Sequence, residues 1–388
     1  GALVVEATGI RDIASGPLLR ISDDRFIPGL KALVDRVRAA SNGKTRLLIQ
    51  LIDFLAVRRR PEPRKFFTRY LKITDQHREA LKADDWSEDL VRQALADLDL
   101  EELKTILSPR EFESLCFGYR ERVTDTHMKH IVELTGSLPT LFASAARRAQ
   151  TAGFDGVELH YAHAYTMASF LSATNDRSDG YGGPRENRIR LPLDVYTAVR
   201  KVVGNNFAVG CRFLTEDCID NGSNTNDSSF FAQHFAAAGM DFLSTSRGGK
   251  FDDAKQPIIG DAVYPYTGPS GYECIPGYLS DSFGPFGRNF SATAKVRNEI
   301  RSKGFDTPVV VTGGIHDFQQ AQNLLESGTA DIIGLARQSL ADPDWFSKVR
   351  AGRGDEIRVC EYTNYCEGLD RKHKQVTCQL WDRADLDE

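Results

Sequence analysis

A chain of 388 residues, 41% hydrophobic and 27% charged, can bury a sizeable core as one large or two ordinary domains. Its net charge of −5 argues against a nucleic-acid partner, and no run of 18 apolar residues offers a membrane-spanning helix. Seven cysteines, four of them scattered (Cys116, Cys211, Cys218, Cys274), argue for a reducing cytoplasm over a disulfide framework.

Taken in chain order, short β-branched runs alternate with helical periods. Strands are expected over 3–7 and 46–51, with a helix over 27–39 between them. Residues 57–126 break this rhythm. They are charged, carry helix signals over 86–97, 101–107 and 109–117, and show no strand pattern. This insertion reads either as a cap over a site or as a packing or homo-oligomer contact. Its basic run, Arg58-Arg59-Arg60 with Arg64 and Lys65, is broken by prolines and reads as a solvated loop. Alternation then resumes through 127–352. Helices are expected over 138–152, 189–203, 228–238, 291–303 and 317–327, and strands over 156–160, 208–213, 241–246, 308–312 and 331–335. Residues 248–290, rich in Gly, Pro, Tyr and Phe, are expected to line a substrate cavity. Residues 353–388 form a cysteine-containing extension.

Strand–helix alternation argues for parallel βαβ units, and continuous apolar runs such as Val309-Val310-Val311 suit strands buried on both faces. No G-x-G-x-x-G follows a strand and no Walker A run exists, so the dinucleotide-binding and P-loop folds lose support. The fold expected is α/β, a (β/α)8 TIM barrel. The count reaches only seven strands, one short of a barrel.

Two strand ends carry small residues before a helix: Thr312-Gly313-Gly314 and Gly334-Leu335-Ala336-Arg337. Backbone N–H groups at such turns can hold a phosphate, and barrels often place one after their last two strands. The plain alternative is a pair of tight turns. Another strand ends in His160, with His163 and Tyr165 just beyond. Imidazole donors can grip a carbonyl oxygen, and a phenol can give a proton while neutral. The plain alternative here is a histidine satisfied by backbone and a packed tyrosine.

The run that follows contains Asp179, Tyr181, Gly182, Gly183, Glu186, Asn187 and Arg188. Together the two runs resemble the H-x-x-[HN]-x-Y and D-x-Y-G-G-x-x-E-N-R signature of the Old Yellow Enzyme family of flavin-dependent ene-reductases. The resemblance implies an FMN enzyme that uses NADH or NADPH to reduce a small, enone-like substrate, and it implies that the first strand of the barrel is missing from this chain, with 1–56 carrying the next two. It implies that Gly313, Gly314, Ala336 and Arg337 hold the FMN phosphate. Gln50 would pair the pyrimidine edge, Arg212 would face the N1–C2 carbonyl, and Ala7 would pack on the ring. His160 and His163 would hold the substrate oxygen, and Tyr165 would protonate carbon. One departure stands out. Where the family continues L-x-H-x-G-R, this chain has Leu51-Ile52-Asp53-Phe54-Leu55.

The tail clusters Cys360, Cys366 and Cys378, with His373 among them. It resembles the C-x2-C-x3-C-x11-C cluster loop of dienoyl-CoA reductases in its last step only; Val359 and Tyr362 stand at the first two cysteine positions. Three thiols fall short of an iron–sulfur ligand set, so no cluster is expected, and these cysteines are the metal candidates that remain. Two rival readings stay open: a dienoyl-CoA-reductase-like or amine-demethylating flavoenzyme fed by an electron partner, and a silent flavin-binding or interaction protein.

Overall fold

Each apolar run pairs with the next one in the chain, so sequence order and sheet order coincide. The computed structural model describes residues 1–13, 18–249, 259–260, 286–372 and 374–382. Among these, seven strands form one sheet: β1 (Ala2–Gly9), β2 (Arg46–Ile52), β3 (Gly156–Tyr161), β4 (Ala208–Leu214), β5 (Leu243–Ser246), β6 (Val309–Thr312) and β7 (Ile332–Gly334). Every pairing is parallel. Helices such as Ile27–Ala40, Leu134–Ala152, Arg190–Val203 and Phe290–Ser302 make the crossovers. The result is the α/β wall of a barrel with seven strands. The interior strand β3 is buried throughout, whereas Leu3 and Ile332 on the edge strands are 52% and 44% exposed. The curl is therefore open between β1 and β7 among the described residues. Most of 248–290, with Cys274 and His373, lies outside them.

One device recurs at the base of the sheet. Asp155, Asp241 and Asp331 each precede a strand (β3, β5, β7) and grip the strand before it. The backbone N–H of Asp155 donates to Leu47 O at 2.8 Å, and its carboxylate accepts from Leu47 N at 2.8 Å. Asp241 exchanges the same two bonds with Val209 at 3.0 and 2.7 Å. Asp331 does so with Val309, at 2.9 Å for both. An arginine from the helix that leads into the gripped strand faces each carboxylate: Arg38 at 3.6 Å, Arg200 at 2.5 Å and Arg301 at 2.7 Å. An N–H at the start of each gripped strand is satisfied this way.

Within residues 57–126 the helical expectation holds, with helices at Asp75–Leu81, Glu88–Asp97, Leu100–Ile106 and Pro109–Phe117 among others. Ser87, Asp99 and Ser108 cap three of them with side-chain oxygens. Their apolar faces enclose a small core of their own around Phe67, Val91, Leu95 and Leu115. The segment is tied to the barrel through the buried Arg177, whose Nη1 donates to Val123 O at 2.6 Å.

Candidate active site

The inner face of the open curl encloses a cavity of about 1140 Å³. Ala7, Gln50, Arg212, His163, Gly313, Gly314, Ala336 and Arg337 all line it, so the sheet brings together residues that lie far apart in sequence. His160 and Tyr165 are not on that wall; His160 is buried and touches Tyr165 edge-on, with ring centres 5.5 Å apart.

The local backbone explains the histidine arrangement. His160 belongs to β3, but His163 and Ala164 adopt left-handed conformations, with φ of 57° and 64°. Non-glycine residues rarely do so, and two in succession mark a constrained turn. The turn folds the His163 ring back until its Nδ1 lies 3.0 Å from His160 Nε2. His163 Nε2 lies 2.7 Å from Ser246 Oγ at the end of β5. The backbone N–H of Ala162 donates to His160 Nδ1 at 3.4 Å. That bond places the His160 proton on Nε2, makes His163 Nδ1 the acceptor, and leaves the His163 proton on Nε2 facing Ser246. The two rings were expected to converge on one point. Instead they pass hydrogen bonds along a line, because the left-handed turn stacks one behind the other. Burial pushes both imidazoles well below the usual histidine range. His163 falls to about 3, with the Arg212 guanidinium adding to the effect. Both rings are neutral at ordinary pH.

Tyr165 precedes the short helix Thr166–Leu171 and packs edge-on against Phe54, with ring centres 5.0 Å apart. Phe54 follows Asp53, the residue that departs from the family pattern. Asp53 is buried and paired with Arg11, Nε to Oδ1 at 2.5 Å and Nη2 to Oδ2 at 2.8 Å. Arg11 Nη2 also donates to Phe54 O at 2.7 Å. Burial raises the Asp53 carboxyl, and Arg11 opposes the shift. The altered run thus gives a clamped wall next to the tyrosine.

Across the sheet, Gln50 and Arg212 share one partner that sequence reading overlooked, Glu158. Gln50 Nε2 donates to Glu158 Oε1, and Arg212 Nε donates to the same oxygen at 2.9 Å. Arg212 Nη1 donates to Thr312 Oγ1 at 3.2 Å. The available signal was a lone carboxylate inside the apolar run Val157-Glu158-Leu159, since Glu is seldom fully buried unless paired.

Just beyond Thr312, Gly313 and Gly314 have φ of 109° and 70°. A Cβ on Gly313 would meet nothing within 4 Å, so the backbone there faces open cavity. A Cβ on Gly334 would lie 2.4 Å from Thr312 Cγ2, so the two turns close up only with glycine. Arg337 turns toward the tail, donating to Asn364 Oδ1 at 2.7 Å and stacking over the Tyr362 ring at 4.6 Å. A backbone cradle together with an amide and a guanidinium, all lining one cavity, fit a flavin mononucleotide. The signature run after Tyr165 is scaffold. Arg188 donates to Ser223 Oγ and Asp227 Oδ1 at 2.8 Å each, and Arg177 pairs with Asp179. Cys360, Cys366 and Cys378 border a gap of about 20 Å³. Among the described residues no three His, Cys, Asp or Glu side chains are grouped closely enough to hold a metal ion.

The model of the family described as "NADH:flavin oxidoreductase / NADH oxidase family" matches residues 129–267 and 283–356. The chain is 30% identical over 220 residues to an NADH oxidase of Thermoanaerobacter brockii, covering 56% of this chain and 30% of that protein. It is 32% identical over 236 residues to an N,N-dimethylglycine/sarcosine dehydrogenase of Chromohalobacter salexigens, covering 60% and 30%. It therefore matches these curated relatives over less than a third of their length. Among solved structures, an Old Yellow Enzyme homologue from Zymomonas mobilis superposes with a TM-score of 0.55 at 21% identity, covering 90% of this chain and 79% of that one. That likeness is one of fold.

Proposed function

This chain belongs to the NADH:flavin oxidoreductase / NADH oxidase family, and from that premise we propose that it binds FMN and uses NADH or NADPH to reduce a carbonyl-conjugated carbon–carbon double bond. One observation carries the reading: a single cavity is lined by the Gly313–Gly314 cradle and by Gln50 and Arg212. Bound there, FMN supplies the relay of hydride from the nicotinamide to the alkene. The chain does the rest. Gly313, Gly314, Ala336 and Arg337 hold the phosphate end, and Gln50 and Arg212 hold the pyrimidine end. His163, neutral and with its proton on Nε2, exchanges Ser246 for the substrate oxygen and polarises the alkene. His160 keeps His163 in that tautomer. Tyr165 gives the proton that completes the reduction. Ala7 packs against the ring.

The test is an absorbance titration of the purified protein loaded with FMN. NADH or NADPH should bleach the flavin band, and an enone should restore it under anaerobic conditions. The likeness to an N,N-dimethylglycine/sarcosine dehydrogenase favours a second reading, oxidation of an N-methylated amine. In that case the amine bleaches the band and an enone does not restore it. A flavin that no donor bleaches would mark a silent binding protein.

A further inference from the structure

Three polar side chains meet at the pyrimidine end of the cavity, and the middle one has no role in the mechanism above. Glu158 is 1% exposed, inside a strand that is buried along its whole length. In register it stands beside Gln50 on β2, while Arg212 on β4 stands beside His160, two residues further along β3. Alternate residues of a strand share a face, so all of these project to the same side of the sheet. We propose that Glu158 is a positioning residue for the flavin. Its carboxylate fixes which way the Gln50 amide points and offsets the Arg212 charge, and so sets the balance between oxidised and reduced FMN. The inference rests on the FMN reading of the cavity.

The first half follows from donor chemistry. An ionised carboxylate accepts hydrogen bonds and cannot donate them. Glu158 Oε1 therefore selects the NH2 end of Gln50, and the Gln50 carbonyl is turned away from it. The amide's second N–H and its carbonyl are then left to read a ring edge that carries both a donor and an acceptor. Without the carboxylate the two amide orientations would be closely matched in energy.

The second half follows from charge. Glu158 holds Arg212 through two bonds, Nε to Oε1 at 2.9 Å and Nη2 to Oε2 at 3.4 Å. A guanidinium alone beside the ring would favour the anionic reduced flavin strongly. A buried carboxylate at this distance cancels part of that preference.

The experiment measures binding and potential, not turnover. Oxidised FMN is titrated by fluorescence, and the midpoint potential of bound FMN is compared with that of free FMN. In Glu158→Gln the ratio of dissociation constants, oxidised over reduced, should rise about tenfold, equivalent to a potential about 30 mV more positive for a two-electron couple. Glu158→Asp keeps the charge but withdraws the carboxylate. It should leave the ratio near the wild-type value while weakening oxidised FMN by about three- to tenfold, the worth of one displaced hydrogen bond. An unchanged ratio in Glu158→Gln overturns the charge role, and wild-type affinity in Glu158→Asp overturns the positioning role. If Glu158→Gln does not fold, Glu158→Asp alone decides. A wild-type protein that binds no FMN overturns this inference together with the reading beneath it; a wild-type protein that binds FMN while both variants match it overturns this inference alone.

Discussion

His163 and Ser246, 83 positions apart in the chain, are joined by a 2.7 Å hydrogen bond between Nε2 and Oγ. The proton that would hold a substrate oxygen is thus committed to the protein until a ligand displaces it. Ser246→Ala removes that competitor. Phenol-like ligands, whose oxygen takes the carbonyl's place, should bind about three- to tenfold tighter, the net worth of one hydrogen bond. Titration of the charge-transfer absorbance between phenol and flavin reads this directly. Unchanged affinity would remove His163 as the donor.

The neutral histidines set a pH dependence. His163 is held at about 3, far below the 6.5 of an ordinary imidazole, because burial disfavours its charged form. The unfolded chain therefore takes up a proton that the folded chain refuses as pH falls below about 6.5. Stability is fully present above that pH and is lost as pH falls toward 3. His163→Asn should flatten this slope in urea unfolding carried out across the range. Asp217, raised to about 6 by burial, acts with opposite sign. Its contribution is fully present below the ordinary carboxylate value and is lost as pH rises through 6, so Asp217→Asn is the comparison variant. Ligand binding should show no histidine transition between about pH 5 and 8.

Gly313→Asp tests the phosphate cradle. The new side chain enters open cavity, at a φ of 109° that L residues rarely adopt. It adds a negative charge where the phosphate is proposed to sit. FMN should be lost on gel filtration from Gly313→Asp. It should be better retained by Gly313→Asn, which carries the same bulk without charge.

Tyr165→Phe should leave reduction of the flavin by NADH or NADPH intact and slow alkene reduction by about 10²–10⁴, the usual range for a general acid. Rapid mixing separates the two half-reactions. Phe54→Ala removes the ring that meets Tyr165 edge-on. It should produce a smaller loss in the same half-reaction, because the phenol remains but is less firmly held.

The strands were legible because each is an apolar run too short for a helix, followed by a helical period. Several ends miss by one or two residues, and two beginnings miss for a physical reason. Asp241 and Asp331 look like first strand residues, but β5 begins at Leu243 and β7 at Ile332. The aspartates use their side chains on the neighbouring strand instead. In the site, the glycines and the His160–His163–Tyr165 run announce themselves by spacing. Nothing in the residue types signals the left-handed pair His163–Ala164, so the line of hydrogen bonds could not be read. Ser246 becomes the partner of His163 through that turn, and Glu158 the partner of Gln50 through the register of β2 and β3, across separations of 83 and 108 positions.

The three aspartate clasps join the strands in pairs, β2 with β3, β4 with β5 and β6 with β7, and leave β1 outside the scheme. Each clasp ties a strand start to its neighbour by two bonds and an arginine, so the members of a pair should open together. In hydrogen–deuterium exchange the amides of Leu47, Val209 and Val309 should be the slow, cooperative positions. Those of Leu3 and Val4, on a strand with exposed side chains and no clasp, should exchange by local fraying. Ala7 lies on that strand and on the cavity wall. The side of the cavity that β1 supplies should then loosen first, which would let ligands exchange through it while the paired strands stay closed.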